Sequence, residues 1–417
     1  MNRKSIWMVG AAAAALAWPG TALAAAAPAA ANSPATPNAA IAQTNERIDD
    51  VNSRLDALEA ELQSAETRQA TDHDAVGASA TSILGAWWNN TNISGRMYFD
   101  ASYIDQTTNG TRTGVSNGTA FDIKRFYIGI DHKFNDVFSA NVTTDFTFDS
   151  GSGVNQIYIK KAYLQAKVSD ALVFKLGSTD MPWIPFVEDI YGYRYVENTL
   201  IDRLKYGNSA DWGAHVSGKL YGGMLNYAFS VVNGSGYKKA NLFRTNGPDV
   251  EGRVNLNVDD FVVGVGGYFG KLGTQFGTAE HHEGSRFDAV AAWTPKTVRI
   301  GVEYFEANNF LSVSSSTQTD HAAGVSGFAS WNFVPEWSVF GRYDYTKKHV
   351  NAVSPQSVPD DYFNVGLEWN PTKIVDLSLV YKHDHASHGT IATSNGTIGG
   401  SLNGDYDEVG LFGQLRW

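Results

Sequence analysis

The segment Ile93–Tyr103, ISGRMYFDASY, decides how the chain is read. Ile93, Met97, Phe99 and Tyr103 alternate with Arg96, Tyr98, Asp100 and Ser102. Successive side chains of a strand point to opposite faces, so this period gives one apolar and one polar face. The pattern recurs downstream. Phe126, Ile128 and Ile130 oppose Arg125, Tyr127 and Asp131, and Phe138, Val142 and Phe146 oppose Asn141, Thr143 and Asp145. Carried to the C-terminus, the reading predicts sixteen strands within residues 91–417. Most are near the roughly 9–11 residues a tilted strand needs to cross a bilayer.

The connections then give the architecture. Short turns at Asn135-Asp136, Ser169-Asp170, Asp259-Asp260, Pro295-Lys296, Pro335-Glu336 and Pro371-Thr372 alternate with long polar loops. The loops are expected at 105–119, 150–155, 179–209, 233–247, 271–284, 307–320, 346–359 and 386–404. A soluble sandwich does not sort its connections by end, whereas an outer-membrane barrel does. The expected fold is therefore all-β: a 16-stranded antiparallel transmembrane β-barrel. Trp293, Tyr304, Trp331, Trp337, Tyr343, Trp369 and Tyr381 near strand ends fit interfacial girdles. The last strand, EVGLFGQLRW, ends in the aromatic Trp417 and reads as a signal for barrel-assembly machinery. It must also close the barrel, because lipid cannot satisfy an open edge.

Composition agrees with this. The chain of 417 residues has formal charge −11, 41 Gly, 12% aromatics and no Cys. Without Cys there are no disulfides and no thiolate metal sites. The mean hydropathy of −0.24 suggests a soluble protein at first sight. A barrel with a polar lumen gives the same average.

The N-terminal stretch precedes the alternating region. Residues 1–24 have a basic start (Arg3, Lys4), an apolar middle and the small-residue end Ala22-Leu23-Ala24, a secretory leader. Residues 25–40 read as a linker. Ile41, Thr44, Ile48, Val51, Leu55, Leu58, Leu62 and Ala65 follow heptad spacing among charged residues, which predicts a periplasmic coiled coil over 41–70. An amphipathic helix lying on a core is the alternative. Residues 71–90 form a second linker. An even strand count puts both barrel ends, and so the coil, on the periplasmic side.

The alternation fails over Thr179–Gly207, TDMPWIPFVEDIYGYRYVENTLIDRLKYG. Pro182 and Pro185 exclude a central strand. The stretch is too aromatic for disorder, so it is expected to be an ordered loop packed inside the barrel. Glu188, Asp189, Tyr193, Arg194, Arg203 and Lys205 are its candidate constriction residues, with the three cations as the basic side. On the polar faces of the strands, Arg96, Arg125, Lys161, Lys175, Arg253, Arg299, Arg342, Asp145 and Glu303 are expected to line the pore. Rings of charge select ions in a narrow pore. Mixed signs leave a transverse field, a salt-bridge lattice and an anion path all open. His281, His282, His383, His385 and His388 lie in or beside the expected loops and are read as solvated residues rather than metal ligands.

Leader, short coil, sixteen strands and the stretch GSTDMPWIPFVEDIYGYRYVENTLIDRL after the fifth strand resemble the phosphate-selective porin O and P family, with Gly177, Pro185-Phe186 and Glu197 at the family's positions. The resemblance covers roughly 85–417. It implies a homotrimeric channel in the bacterial outer membrane, surrounded by lipid and passing small hydrophilic solutes with a bias toward anions such as phosphate. No cofactor and no nucleic-acid partner is expected. Three readings stand: a diffusion channel with or without phosphate preference, a barrel enzyme, and a structural tether to the cell wall. No GxSxG, P-loop or zinc-protease motif supports the enzyme.

Overall fold

The computed structural model describes residues 87–112, 117–149, 154–239, 244–351 and 357–417, with Arg47, Val51, Ser53, Arg54, Leu55 and Glu59 upstream. Those six, within the expected coil, are helical and exposed. The leader, the first linker and the rest of the coil lie outside the described residues.

The barrel unit, Ser82–Trp417, is built from sixteen long strands among the described residues. They are β1 (Thr91–Thr108), β2 (Gly118–Lys133), β3 (Phe138–Asp149), β4 (Val154–Ser169), β5 (Leu172–Asp180), β6 (Ala210–Leu220), β7 (Leu225–Val232) and β8 (Asp249–Val258). Then come β9 (Phe261–Gly270), β10 (Gly284–Trp293), β11 (Val298–Asn308), β12 (Asp320–Val334), β13 (Trp337–Val350), β14 (Val358–Thr372), β15 (Val375–Thr393) and β16 (Gly396–Arg416). A two-residue strand, Thr111–Arg112, caps the far end of β1. Each strand is antiparallel to its sequence neighbour, and β16 pairs back onto β1 from Arg96↔Arg416 to Thr108↔Gly404. Gly95 and Trp417 complete the closure by exchanging backbone bonds of 3.0 and 3.1 Å.

The barrel is apolar outside. Along β11, Ile300, Val302 and Tyr304 are exposed while Gly301, Glu303 and Phe305 are buried. Phe121, Ile157 and Leu176 are exposed in the same sense on β2, β4 and β5. Such a surface is stable only against lipid or another apolar surface. Trp rings gather at the short-turn end, where Trp337 stacks on Trp369 with centroids 6.0 Å apart. At the opposite end tyrosines reach polar partners. The hydroxyls of Tyr343 and Tyr381 donate to Asp361 and Asp407 at 2.5 Å. Rings with one apolar and one polar end suit an interface. No described helix is long and apolar enough to cross a membrane.

Two expectations need correcting. The predicted loop 386–404 is a hairpin: β15 runs to Thr393, β16 starts at Gly396, and the turn is Ser394-Asn395. The predicted loop 105–119 begins late, because β1 continues to Thr108. His383 and His385, expected at the end of a strand beside a loop, lie on β15, where they pair with Asp407 at 2.9 Å and Asp405 at 2.6 Å. Polar composition marked these stretches as loops, but a hairpin that rises out of the membrane is polar on both faces.

Gly177, near the end of β5, has φ +124°, and a Cβ there would lie 2.1 Å from the Ala162 carbonyl oxygen. Only glycine fits that approach. The chain leaves the wall three residues later.

Candidate functional site

The connection 181–209 between β5 and β6 enters the barrel. Its core is α1 (Ile184–Tyr191). Pro185 is in the first turn, where its missing N–H costs nothing. Gly192 ends the helix in the left-handed conformation at φ +83° and donates to the Glu188 carbonyl at 2.9 Å. Ile184, Val187, Ile190 and Tyr191 are buried. Their spacing of three and four places them on one face, leaving Glu188 and Asp189 on another.

The buried face packs against β8–β15. Tyr193 stacks on Phe340 with centroids 4.0 Å apart, and Trp183 is fully buried. Each such ring contributes about 1.5–3 kcal/mol by burial. Polar groups then fix the orientation. The Trp183 backbone N–H donates to Glu251 at 2.8 Å and its indole to Glu303 at 3.1 Å. The hydroxyls of Tyr193 and Tyr195 donate to Glu368 at 3.2 and 2.8 Å. Wall arginines donate to loop carbonyls: Arg253 to Pro182 at 2.7 Å, Arg299 to Tyr191 at 2.9 Å, Arg342 to Asn198 at 2.5 Å. A second helical turn, α2 (Leu200–Arg203), ends in Arg203, which contacts Asp344 at 3.0 Å, Asp360 at 2.6 Å and Asp384 at 3.0 Å.

The expected pore residues therefore divide in two. Arg253, Arg299, Arg342 and Glu303 are held by the loop, and the loop's own Tyr193 and Arg203 are buried against the wall. They fasten the loop to the wall. The physical reason is plain: buried charges need partners, and this wall and this loop supply each other's. Arg96, Arg125, Lys161, Lys175 and Asp145 lie on the opposite wall, β1–β5. There Arg125 contacts Asp145 at 2.8 Å, Lys161 contacts Asp180 at 2.5 Å, and Arg96 donates to the Tyr98 hydroxyl at 3.3 Å. Lys175 stands 4.5 Å from the Tyr163 ring centroid.

Two cations on this wall escape a strictly alternating reading. The β1–β2 register shifts between Tyr98 and Phe99, so Lys124 is an extra residue in β2. The β3–β4 register shifts between Thr143 and Thr144, so Lys160 is extra in β4. A bulge turns two successive side chains to one side. Lys124 accordingly joins Arg125 inside, 3.0 Å from Asp100, and Lys160 joins Lys161. The signal was present in the sequence as the doublets Lys124-Arg125 and Lys160-Lys161. In a regular strand, one member of each doublet would face lipid.

Between the loop and this wall opens a cavity of about 710 Å³. Its cations are Lys124, Arg125, Arg194, Lys205, Lys238 and Lys239, against Glu197, Asp202 and Asp211. In two of the three wall pairs described the cation is the more exposed partner, whereas in Lys161–Asp180 it is the carboxylate. Lys124 is 32% exposed and Asp100 2%; Arg125 is 21% exposed and Asp145 0%. On the loop side, Arg194 contacts Glu188 at 2.5 Å and Asp202 at 3.3 Å. Burial, then Glu188 and Asp180, push the Asp189 carboxyl up. Burial also opposes the charge of Glu197, but Lys382 and Lys124, with the Ser394 hydroxyl and Asn198 N–H, hold its carboxyl well below the usual range. Ser394 and Asn395, at the tip of the β15–β16 hairpin, donate to Glu197 at 2.6 and 3.0 Å. The last hairpin thus leans over the mouth and holds the loop.

No protein-family model and no curated protein matches the chain. Solved structures do. An anion-selective porin from Comamonas acidovorans superposes with TM-score 0.57 at 10% identity, covering 78% of this chain and 99% of that one. The outer membrane channel DcaP of Acinetobacter baumannii gives 0.55 at 12%, covering 78% and 97%. OmpT of Vibrio cholerae, an outer membrane protein in its trimer form, gives 0.53 at 12%, covering 78% and 99%. Identities this low carry the architecture alone, and they agree with the apolar exterior and inward loop described above: this chain is a closed, sixteen-stranded β-barrel of the outer-membrane porin fold.

Proposed function

We propose that the protein is a passive diffusion channel of the bacterial outer membrane, passing small hydrophilic solutes with a bias toward anions. The observation that carries the reading is the asymmetry of the passage. One wall presents Lys124 and Arg125 with their carboxylate partners Asp100 and Asp145 buried behind them, beside the mixed pair Lys161–Asp180, while the acids Asp344, Asp360 and Asp384 of the other wall are buried around Arg203 of the loop. An anion entering meets ammonium and guanidinium groups first, in a confined space where charge is weakly screened. A homotrimer formed through the barrel walls, and recognition of the Trp417-ended strand by assembly machinery, belong to the same reading. The trimer form of the Vibrio cholerae protein supports the first. A phosphate preference is the narrower form of the reading, supported by the resemblance at Gly177, Pro185-Phe186 and Glu197.

The test is the reversal potential of purified protein in a planar bilayer across a KCl gradient, with and without added phosphate. A potential of the sign set by chloride is expected. A cation-selective potential would refute the anion bias, and absence of conductance would refute the channel.

A further inference from the structure

Asp360 and Asp384 carry an inference that the channel reading does not contain. Both are fully buried beside α2, one on β14 and one on β15. Arg203 reaches them with two nitrogens of one guanidinium, Asp360 at 2.6 Å and Asp384 at 3.0 Å. In each contact the carboxyl uses its Oδ2. Each Oδ1 is buried and finds no donor among the described residues. The Thr346 hydroxyl, opposite Asp360 in register, makes no hydrogen bond either. Yet the two carboxyl groups lie within hydrogen-bonding reach of each other. Two carboxylates sharing a site away from water cannot both stay ionised; a proton between them removes the repulsion and satisfies both orphan oxygens. Asp344 on β13 is the contrast. Its two oxygens accept from Arg342 at 2.8 and 2.6 Å and from Arg203 at 3.0 Å.

The charges around the pair lead to the same place. Arg203 faces it from α2, and Arg342, Asp344 and Lys348 from β13. Asp320 of β12 shares Lys348 with Asp360. Tyr362 of β14 and Tyr406 of β16 flank Asp384 in register, and Tyr206 of the loop lies near Asp360. Glu197 of the loop is near Asp384 but has its own cations, Lys382 and Lys124. Three cations, Arg203, Arg342 and Lys348, therefore meet four carboxylates, Asp320, Asp344, Asp360 and Asp384. Buried charge is tolerated where it is balanced, and one proton balances this set.

We propose that Asp360 and Asp384 share one proton, and that this proton makes the anchor of the inward loop a pH-sensitive latch. While it is bound, one guanidinium holds both carboxyl groups. When its O–H bond breaks and the proton passes to a buffer base in the lumen, an uncompensated negative charge is left beside α2 and the anchor loosens. The native state holds one proton more than the unfolded chain, so stability falls as pH rises through the ionisation of the pair. The detergent-solubilised full chain is compared with D360N and D384N, in each of which an amide N–H takes the place of the shared O–H. At about pH 7, where free carboxyls are ionised, the infrared carbonyl band of a protonated carboxyl is expected in the wild type, and each single variant should lose it. From about pH 7 to about pH 9, below the range of Tyr and Lys, the wild-type thermal midpoint should fall a few degrees further than that of either variant. Single-channel current noise should rise over the same interval in the wild type and stay level in D384N. Only this last reading rests on the channel function. A band that neither D360N nor D384N removes would overturn the shared proton. A band that persists in the wild type at about pH 9, or a midpoint that falls equally in all three proteins, would overturn the latch. Loss of the band in both variants from a protein that conducts no ions would leave the shared proton standing and refute the channel.

Discussion

Arg203 shows what a single side chain does in this lumen. It reaches three carboxylates at 2.6–3.0 Å, and its side chain is fully buried, as are those of Asp344, Asp360 and Asp384. The Arg203 guanidinium also stands 4.5 Å from the Tyr362 ring centroid. Arg342 shares Asp344 at 2.6 Å, but Asp360 and Asp384 depend on Arg203. Removing one partner of such a cluster leaves buried charge uncompensated, at about 3–5 kcal/mol. R203A is therefore expected to lower the thermal midpoint of the folded protein and to give a noisier channel as α2 leaves the wall. The triple variant R203A/D360N/D384N should restore most of the midpoint. An unchanged midpoint in R203A would mean the cluster does not hold the loop. The charges on the polar faces could be read from sequence, but their partners could not. A one-residue bulge decides that Lys124 and Lys160 point inward, and three-dimensional proximity decides that Arg203 serves as an anchor. Periodicity contains neither fact, though the cationic doublets give a hint of the first.

Two elements fill the inside of the barrel and its mouth, the connection 181–209 and the tip of the last hairpin. The inward loop was legible because Pro182, Pro185 and a dense run of aromatics break the alternation at one place only. Its internal structure follows from local chemistry, a helix opened by Pro185 and closed by Gly192. The last hairpin was not legible, because its two polar faces look like a loop. Its Ile391 and Ile398 are buried, and its tip joins the loop through Ser394, Asn395 and Glu197. Glu197 is also 3.4 Å from Lys382, so its charge survives loss of the tip. S394A/N395A is thus expected to leave the barrel's thermal midpoint within about 1 kcal/mol of wild type, the size of two partly exposed hydrogen bonds. It should raise single-channel conductance and the frequency of brief closures as the tip swings clear. Conductance traces that match wild type would show that the tip does not restrict the mouth.

At the scale of the whole molecule, the fold is an inversion of the soluble pattern: apolar side chains outside, charges and tyrosines within. The alternation of Ile93–Tyr103 and its repeats contains that inversion, and the sorting of short and long connections tells which solvent lies outside. Leu367, Leu379 and Leu411 test it directly. Register places Leu379 between the other two across β14, β15 and β16, and all three are exposed. They form an apolar row between the Trp337–Trp369 girdle and Tyr381. In water such a row is a liability, and replacing its centre by arginine would be harmless or helpful. In a bilayer the same replacement costs about 2–4 kcal/mol near the midplane. L379R is therefore expected to fold into lipid vesicles with reduced yield and a lower urea midpoint. L379V, which keeps the apolar surface, should behave as wild type. If L379R matches wild type in vesicles, the face bearing Leu379 does not meet acyl chains. The lumen, the constriction and the anion path would then lose their common basis, since each exists only if the polar face is the inside.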